Sequence, residues 1–284
     1  MALWATAGAT GNGKRDGSLG YLVPALLLVV IFFIIPVLML LLRSVLEPEP
    51  GLQNYATLLG STTYLRIFLN TFIVAAVVTI LSVSIGYPVA WLLAIMPEKW
   101  SRLVLAIIIL SMWTNLLART YAWMVLLQRT GVINKTLMGL GLIDAPLPLV
   151  NNLVGVTIGM TYIMLPFVIL PLMGVIRAID PGILRAAALC GAGRLQCFLR
   201  VLLPLSLPGV AAGALMVFVM SLGYFVTPAL LGGTSNMMLA ELVAQFVQSL
   251  VNWGMGGAAA LVLLVVTLAL YAVQLRYFNP NAAR

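Results

Sequence analysis

The sequence predicts an all-α, polytopic membrane protein with six transmembrane helices. Three observations predict it. Hydrophobic residues make up 63% of the 284 and charged residues only 8%, with a mean hydropathy of +1.13; a soluble domain of this length needs far more charged surface. The apolar residues collect in six runs near the length that crosses a bilayer, and in lipid each run must satisfy its own backbone as a helix. The basic residues gather on alternate connections between the runs, as topology demands.

The elements follow in order. Residues 1–20 are a small, polar N-terminal tail with Lys14, Arg15 and Asp16. Within it, GATGNGK (Gly8 to Lys14) matches the first seven positions of a phosphate-binding loop. Arg15 stands where Ser or Thr would hold magnesium, and no strand precedes it. We read a tail whose basic pair orients the first span, with no nucleotide site on this chain. The first run, Tyr21 to Leu42, is too long for a signal-peptide core and reads as an uncleaved span. The second, about Ile67 to Met96, holds Pro88, a potential kink. The turn PEKWSR (97–102) leads to the third, about Leu103 to Leu127, which Asn115 and Arg119 interrupt. The fourth runs from about Leu153 to Val175, the fifth from Leu207 to Leu231 and the sixth from Gly256 to Tyr271. The membrane domain is therefore 21–275, followed by a tail at 276–284.

With both termini inside, the inner segments hold ten cations: Lys14, Arg15, Lys99, Arg102, Arg177, Arg185, Arg194, Arg200, Arg276 and Arg284. The outer segments and span ends hold five: Arg43, Arg66, Arg119, Arg129 and Lys135. The asymmetry favours an N-in, C-in orientation. It also accounts for the net charge of +8 without nucleic acid as a partner. The chain has no His, which removes the commonest metal ligand and general base. Cys190 and Cys197 lack metal or redox spacing and are expected to be reduced thiols. No metal site or catalytic residue is expected.

The inner loop 176–206 carries the most information. Asp180 and Pro181 suit the start of a helix over Ile183 to Cys190. Gly191, Ala192 and Gly193 would break it, and Gln196 to Leu203 would form a second short helix ended near Pro204 and Pro208. Composition alone allows a plainer reading, a solvated basic loop that only fixes topology. The spacing adds to this. Ala186, Ala187 and Gly191, with Val201, Leu203 and Pro204 at the right distance, resemble the cytoplasmic loop signature of permease subunits of ATP-binding-cassette (ABC) importers. That signature reads Glu-Ala-Ala, three residues, Gly, nine residues, Ile-x-Leu-Pro. Arg185 departs from it, standing where the family usually has Glu. The segments WTNLLARTYAWMVLL (113–127), MLPFVILPL (164–172), LPLSLPGVAAGALMVF (203–218), GYFVTPALLGG (223–233) and NWGMGGAAA (252–260) resemble the polyamine-type branch. The resemblance spans about residues 20–275.

It implies a type I ABC importer permease fold in the bacterial inner membrane, on a subunit that performs no chemistry itself. The implied partners are a second homologous permease, a dimer of ATPase subunits that bind ATP and Mg, a periplasmic solute-binding protein and membrane lipid. No cofactor is expected on this chain. The loop, with Arg185, Ala186, Ala187, Gly191, Ala192, Gly193, Val201, Leu203 and Pro204, would couple the ATPase to the spans. The implied cargo is a small organic solute, a polyamine of the putrescine or spermidine kind, with an amino-acid-like or opine-like solute as the alternative.

Residues that would meet solute come from the chemistry of an organic cation. Arg119 lies at membrane depth, where an arginine is functional or else snorkels to the interface. Trp113, Tyr121 and Trp123 beside it form an aromatic belt or line a cavity. Glu241, with Tyr224, Phe225, Phe246 and Trp253, offers charge attraction and cation–π contact; an ordinary helix-start glutamate is the plainer reading. The outer half has few other carboxylates: Glu47, Glu49 and Asp144. A stand-alone channel or secondary transporter, the lesser alternative, would be expected to show mid-span charges or inverted repeats, and this chain has few such charges and no convincing repeat; a membrane enzyme would need His or an acidic cluster, and neither is visible.

Overall fold

The computed structural model describes residues 23–277, which are helical and contain no strand among the described residues. The phosphate-loop-like segment, the Lys14–Arg15 pair and the tail beyond 277 lie outside them. Helix α1 runs Val23–Leu46 and α2 Gln53–Gly60. Then come α3 (Thr62–Ile95), α4 (Glu98–Trp113), α5 (Leu116–Leu127), α6 (Val132–Gly139) and α7 (Leu153–Ala178). They are followed by α8 (Pro181–Leu189), α9 (Arg194–Leu222), α10 (Val226–Leu231), α11 (Leu239–Ala244) and α12 (Trp253–Tyr277). Helices α1, α3, α7, α9 and α12 are each long and apolar enough to cross a bilayer, and the bent pair that α4 opens is a sixth candidate.

Three helices make the core. Helices α3, α7 and α9 pack against one another through small residues, as expected where lipid removes any hydrophobic drive between helices. Val168 of α7 is seated between two glycines. A Cβ on Gly86 of α3 would lie 3.1 Å from its Cγ1, and one on Gly213 of α9 would lie 3.1 Å from its Cα. Tyr87 of α3 and Ser206 of α9 share a buried hydrogen bond of 2.8 Å. Helices α1 and α12 form a flanking pair so close that a Cβ on Gly257 would fall 2.3 Å from the Leu40 carbonyl oxygen.

Two expected spans differ in shape. The third run is not one straight helix: after α4 the chain turns by 97°. Asn115 is the reason. Its Oδ1 accepts the N–H groups of Leu117 at 2.8 Å and Ala118 at 3.4 Å, so it starts a new helix instead of continuing the old one. The fifth run ends at Leu222, and α10 begins separately after Gly223–Phe225. Its start also differs. No second short helix ends at Pro204; α9 is continuous from Arg194. A π turn over Phe198–Leu202 lets the Leu203 N–H reach the Phe198 carbonyl, five residues back. This widened turn carries the helix past the proline. The same device precedes Pro36 in α1, where a π turn over Val30–Ile34 has the Ile35 N–H bonded to Val30.

The helices share ends. Arg177, in the last turn of α7, reaches the Leu93 carbonyl near the end of α3, so α3 and α7 run parallel, with α8 at their common end. The opposite end gathers α10 and α11 against α3 and α7. There the Asn152 N–H bonds the Leu231 carbonyl at 3.1 Å, and Leu239 N–H bonds Thr71 Oγ1 at 2.8 Å.

Candidate functional site

At the α8 end, Asp180 caps the helix, its Oδ1 accepting the Gly182 N–H at 2.8 Å, with Pro181 in the first turn. The helix thus starts where Asp-Pro indicates, slightly ahead of the expected Ile183. It closes in a Schellman motif. Gly191 N–H bonds Ala188 and Ala192 N–H bonds Ala187, while Gly191 takes φ +87°, a conformation open to glycine at little cost. Gly193 N–H then bonds Gln196 Oε1 at 3.1 Å and starts α9. The expected coupling residues therefore fall in two groups. Arg185, Ala186, Ala187, Gly191, Ala192 and Gly193 form the helix–turn unit. Val201, Leu203 and Pro204 lie in the first turns of α9, the fifth spanning helix.

One residue at this end carries more than the sequence analysis gave it. Arg177 Nη2 donates to Leu93 O at 3.2 Å and to Ser101 Oγ at 2.5 Å. Ser101 is fully buried and donates to the same Leu93 carbonyl at 2.8 Å. A single guanidinium thus ties the α7 end, from which α8 departs, to the turn between α3 and α4. In sequence it is one more inner cation; only its place three residues before the Asp180 cap hints at a structural task.

At the opposite end, α5 lies against α10. Thr120 and Thr227 hydroxyls approach to 3.3 Å. Arg119, half-buried, has its Nε buried without a partner and lies close enough to Tyr224 for its charge to act on the phenol. Trp123 packs on Tyr162 with ring centroids 5.5 Å apart. Trp113 stands at the α4–α5 bend, 85% exposed. Tyr121 and Phe225 are also exposed. Trp253 takes the Arg43 guanidinium over its ring at 5.1 Å, and Arg43 pairs with Glu47 at 3.6 Å. The aromatic residues thus divide into an Arg119–Tyr224 group and a separate Trp253–Arg43 group.

Glu241 sits in the first turn of α11. Its Oε2 is buried without a partner. Burial pushes this carboxyl above the usual range, and the nearby Met238 backbone N–H pulls it back in part. A cavity of about 680 Å³ opens nearby, lined by Thr62, Tyr64, Arg66, Asn70, Gln245 and Phe246 among others. Of the residues expected to meet solute, only Phe246 lines it. Sequence patterning did not reveal this cavity, because its walls come from the start of α3 and a π turn over Gln245–Ser249 after α11, far apart in the chain.

Comparison with known proteins gives the arrangement its relatives. The family profile described as "binding-protein-dependent transport system inner membrane component" matches residues 86–283. The spermidine/putrescine transport system permease protein PotB of Salmonella typhimurium (strain SL1344) is 34% identical over 245 residues, covering 84% of this chain and 85% of that protein. The PotB of Haemophilus influenzae is 33% identical over 261 residues, covering 89% and 90%. A chain from the crystal structure of a bacterial alginate ABC transporter, in complex with an alginate-bound periplasmic protein, superposes with a TM-score of 0.75. That likeness covers 94% of this chain and 96% of the other at 19% identity, and it speaks for the fold alone.

Proposed function

The chain belongs to the family of binding-protein-dependent transport system inner membrane components, the non-catalytic permease subunits of ABC importers, and from that premise we propose that its cargo is a polyamine. The observation that carries the proposal is 34% identity, over 84% of the chain, to a permease named for spermidine and putrescine. In this reading a periplasmic solute-binding protein delivers the solute to the outer end. A second homologous permease completes the path, and two ATPase subunits bind ATP and Mg at the inner end. The termini lie inside, because Lys99, Arg102, Arg177, Arg185, Arg194 and Arg200 all fall at or beside the α8 end. The helix–turn unit around Gly191 receives the ATPase, and Arg119, Tyr224 and Glu241 meet the solute. A thermal-shift screen of the cognate binding protein tests the cargo. Stabilisation by putrescine or spermidine is expected; a clear shift with a neutral or anionic solute and none with polyamines overturns the proposal. The outer cavity supplies a reason for a second reading, an amino-acid-like solute, since Arg66 lines it and no carboxylate does.

Two substitutions probe the sites. A Cβ on Gly191 meets nothing within 4 Å, so Gly191→Val acts through backbone strain alone, of about 1–3 kcal/mol for a non-glycine residue in this region. Reduced solute uptake in proteoliposomes with normal membrane insertion is expected. Wild-type uptake with full ATPase stimulation would remove the turn from the coupling path.

Glu241→Gln keeps the shape and removes the charge. Because burial raises the Glu241 pKa, folding favours the protonated form. Its contribution to stability is complete below the ordinary carboxylate range and declines as pH rises through the raised value. The variant is therefore expected to melt no lower than wild type at pH 8, with a flatter pH dependence. If the carboxylate receives the cationic solute, uptake falls by about tenfold or more. Full uptake by the glutamine variant would leave Glu241 as an ordinary helix-start glutamate.

A further inference from the structure

We infer that the partner seated on α8 presents a carboxylate to Arg185, beside an apolar pocket that takes Leu189. The inference rests on the permease reading and specifies the chemistry of its ATPase contact. Helix α8 has two unlike faces. Leu184 and Ala187, one turn apart, are partly covered, and Leu184 packs on the α3–α7–α9 core. Gly182, Arg185, Ala186 and Leu189 recur at helical spacing on the other face, and all four are exposed. Leu189 is 89% exposed, more than any other large apolar side chain among the described residues. Most exposed leucines here lie along the spans, where lipid covers them. Leu189 instead lies at the end of the bundle, turned from the core and sharing its face with a guanidinium. Hydrocarbon does not suit that pairing, whereas a protein cleft does. Gly182 and Ala186 leave the face low enough for close approach of another backbone.

The charge makes the cleft specific. Arg185 forms no ion pair among the described residues, whose two pairs are Arg43–Glu47 and Arg102–Glu98. The nearest acid in sequence, Asp180, uses Oδ1 to cap Gly182. Arg194 and Arg200 are also exposed and form no ion pair among the described residues; of the described acids at this end, Glu98 pairs with Arg102 and Asp180 serves the helix cap. Desolvating an unpaired guanidinium at an interface is costly, and the compensating carboxylate must come from the partner. A cleft shaped for the glutamate usual at this position would repel Arg185, so the reversed sign also selects which ATPase is accepted.

The full-length chain in neutral-lipid nanodiscs, titrated with its own ATPase subunit, provides the test. Arg185→Glu is expected to weaken binding about tenfold or more, as for a reversed interfacial charge, while Arg185→Lys retains it within a few-fold. Exchanging the facing ATPase carboxylate for arginine is expected to restore binding to Arg185→Glu. Leu189→Asp separates this inference from the reading beneath it. If Leu189→Asp abolishes binding and Arg185→Glu does not, the docking face stands and the acidic cleft is overturned. If neither variant matters, α8 is not the ATPase contact. If Arg185→Glu acts only in discs containing anionic lipid, a headgroup is the counter-charge and the inference is overturned.

Discussion

Replacing Gly257 by leucine is expected to lower the melting temperature of the detergent-purified chain by roughly 2–10 °C, from an overpacking cost of about 1–3 kcal/mol. The added Cβ would lie 2.3 Å from the Leu40 carbonyl oxygen and 3.2 Å from Ser44 Cβ. The first contact is with backbone, so no side-chain rotation relieves it, and α1 must move from α12. That end of α1 is also held in place. Asn54 Nδ2 donates to the carbonyls of Ser44 at 2.9 Å and Glu47 at 2.7 Å, and the Ser44 hydroxyl shares a hydrogen bond with Tyr55 at 2.6 Å. Movement of α1 therefore strains a buried polar network as well. Gly174→Ala is the control. A Cβ there meets nothing within 4 Å, so better helix propensity is expected to hold or raise the melting temperature. Equal melting of Gly257→Leu and wild type would mean that α1 is not fixed against α12.

Arg177→Met is expected to lower transport by about tenfold or more while ATPase binding is retained, since hydrogen bonds from a charged group contribute ~1.5–3 kcal/mol each. The variant keeps an apolar stem but removes the donors to Leu93 O and Ser101 Oγ. Helix α8 then departs from an α7 end no longer fastened to the α3–α4 turn, so that, on the proposed coupling, ATPase closure would move α8 without moving the spans. Futile ATP hydrolysis is the mark of that state, read as ATPase activity against solute uptake in the same proteoliposomes. Ser101→Ala is expected to act in the same direction, and the double variant to add less than the sum, because both belong to one network. A parallel loss of ATPase binding would place Arg177 in the interface itself.

The spans and the α8 turn were legible in the sequence for definite reasons. Lipid allows no alternative to a helix over runs such as Leu153 to Val175, and Asp180-Pro181 and Gly191 are local signals that work without tertiary context. The break after Trp113 was harder to see. Leucines continue on both sides of it, and a lone Asn115 reads as an interruption until its side chain is seen capping α5. Pro204 was misleading for the opposite reason. Proline normally stops a helix, and only the π turn at Phe198–Leu202 shows how this one is absorbed. The end opposite α8 was least legible. Arg119 and Tyr224 meet because α5 packs on α10, and the cavity beside Arg66 is built from segments that no periodicity links. Arg177 was hidden by its company, a charge that counts toward topology whatever else it does.

The continuity of α9 has a mechanical consequence. A helix of 29 residues is roughly 43 Å long at 1.5 Å per residue, so a tilt of about 5° at its foot displaces its far tip by about 4 Å. The foot begins at the turn that closes α8, and the tip ends at Gly223, beside Tyr224 and Arg119. A separate short helix at the α8 end would have placed a joint between that end and the far tip, and small movements would have been lost there. As one continuous helix, α9 carries a tilt at its foot through to its far tip, and the π turn ahead of Pro204 and the interior Pro208 are the places where it could bend.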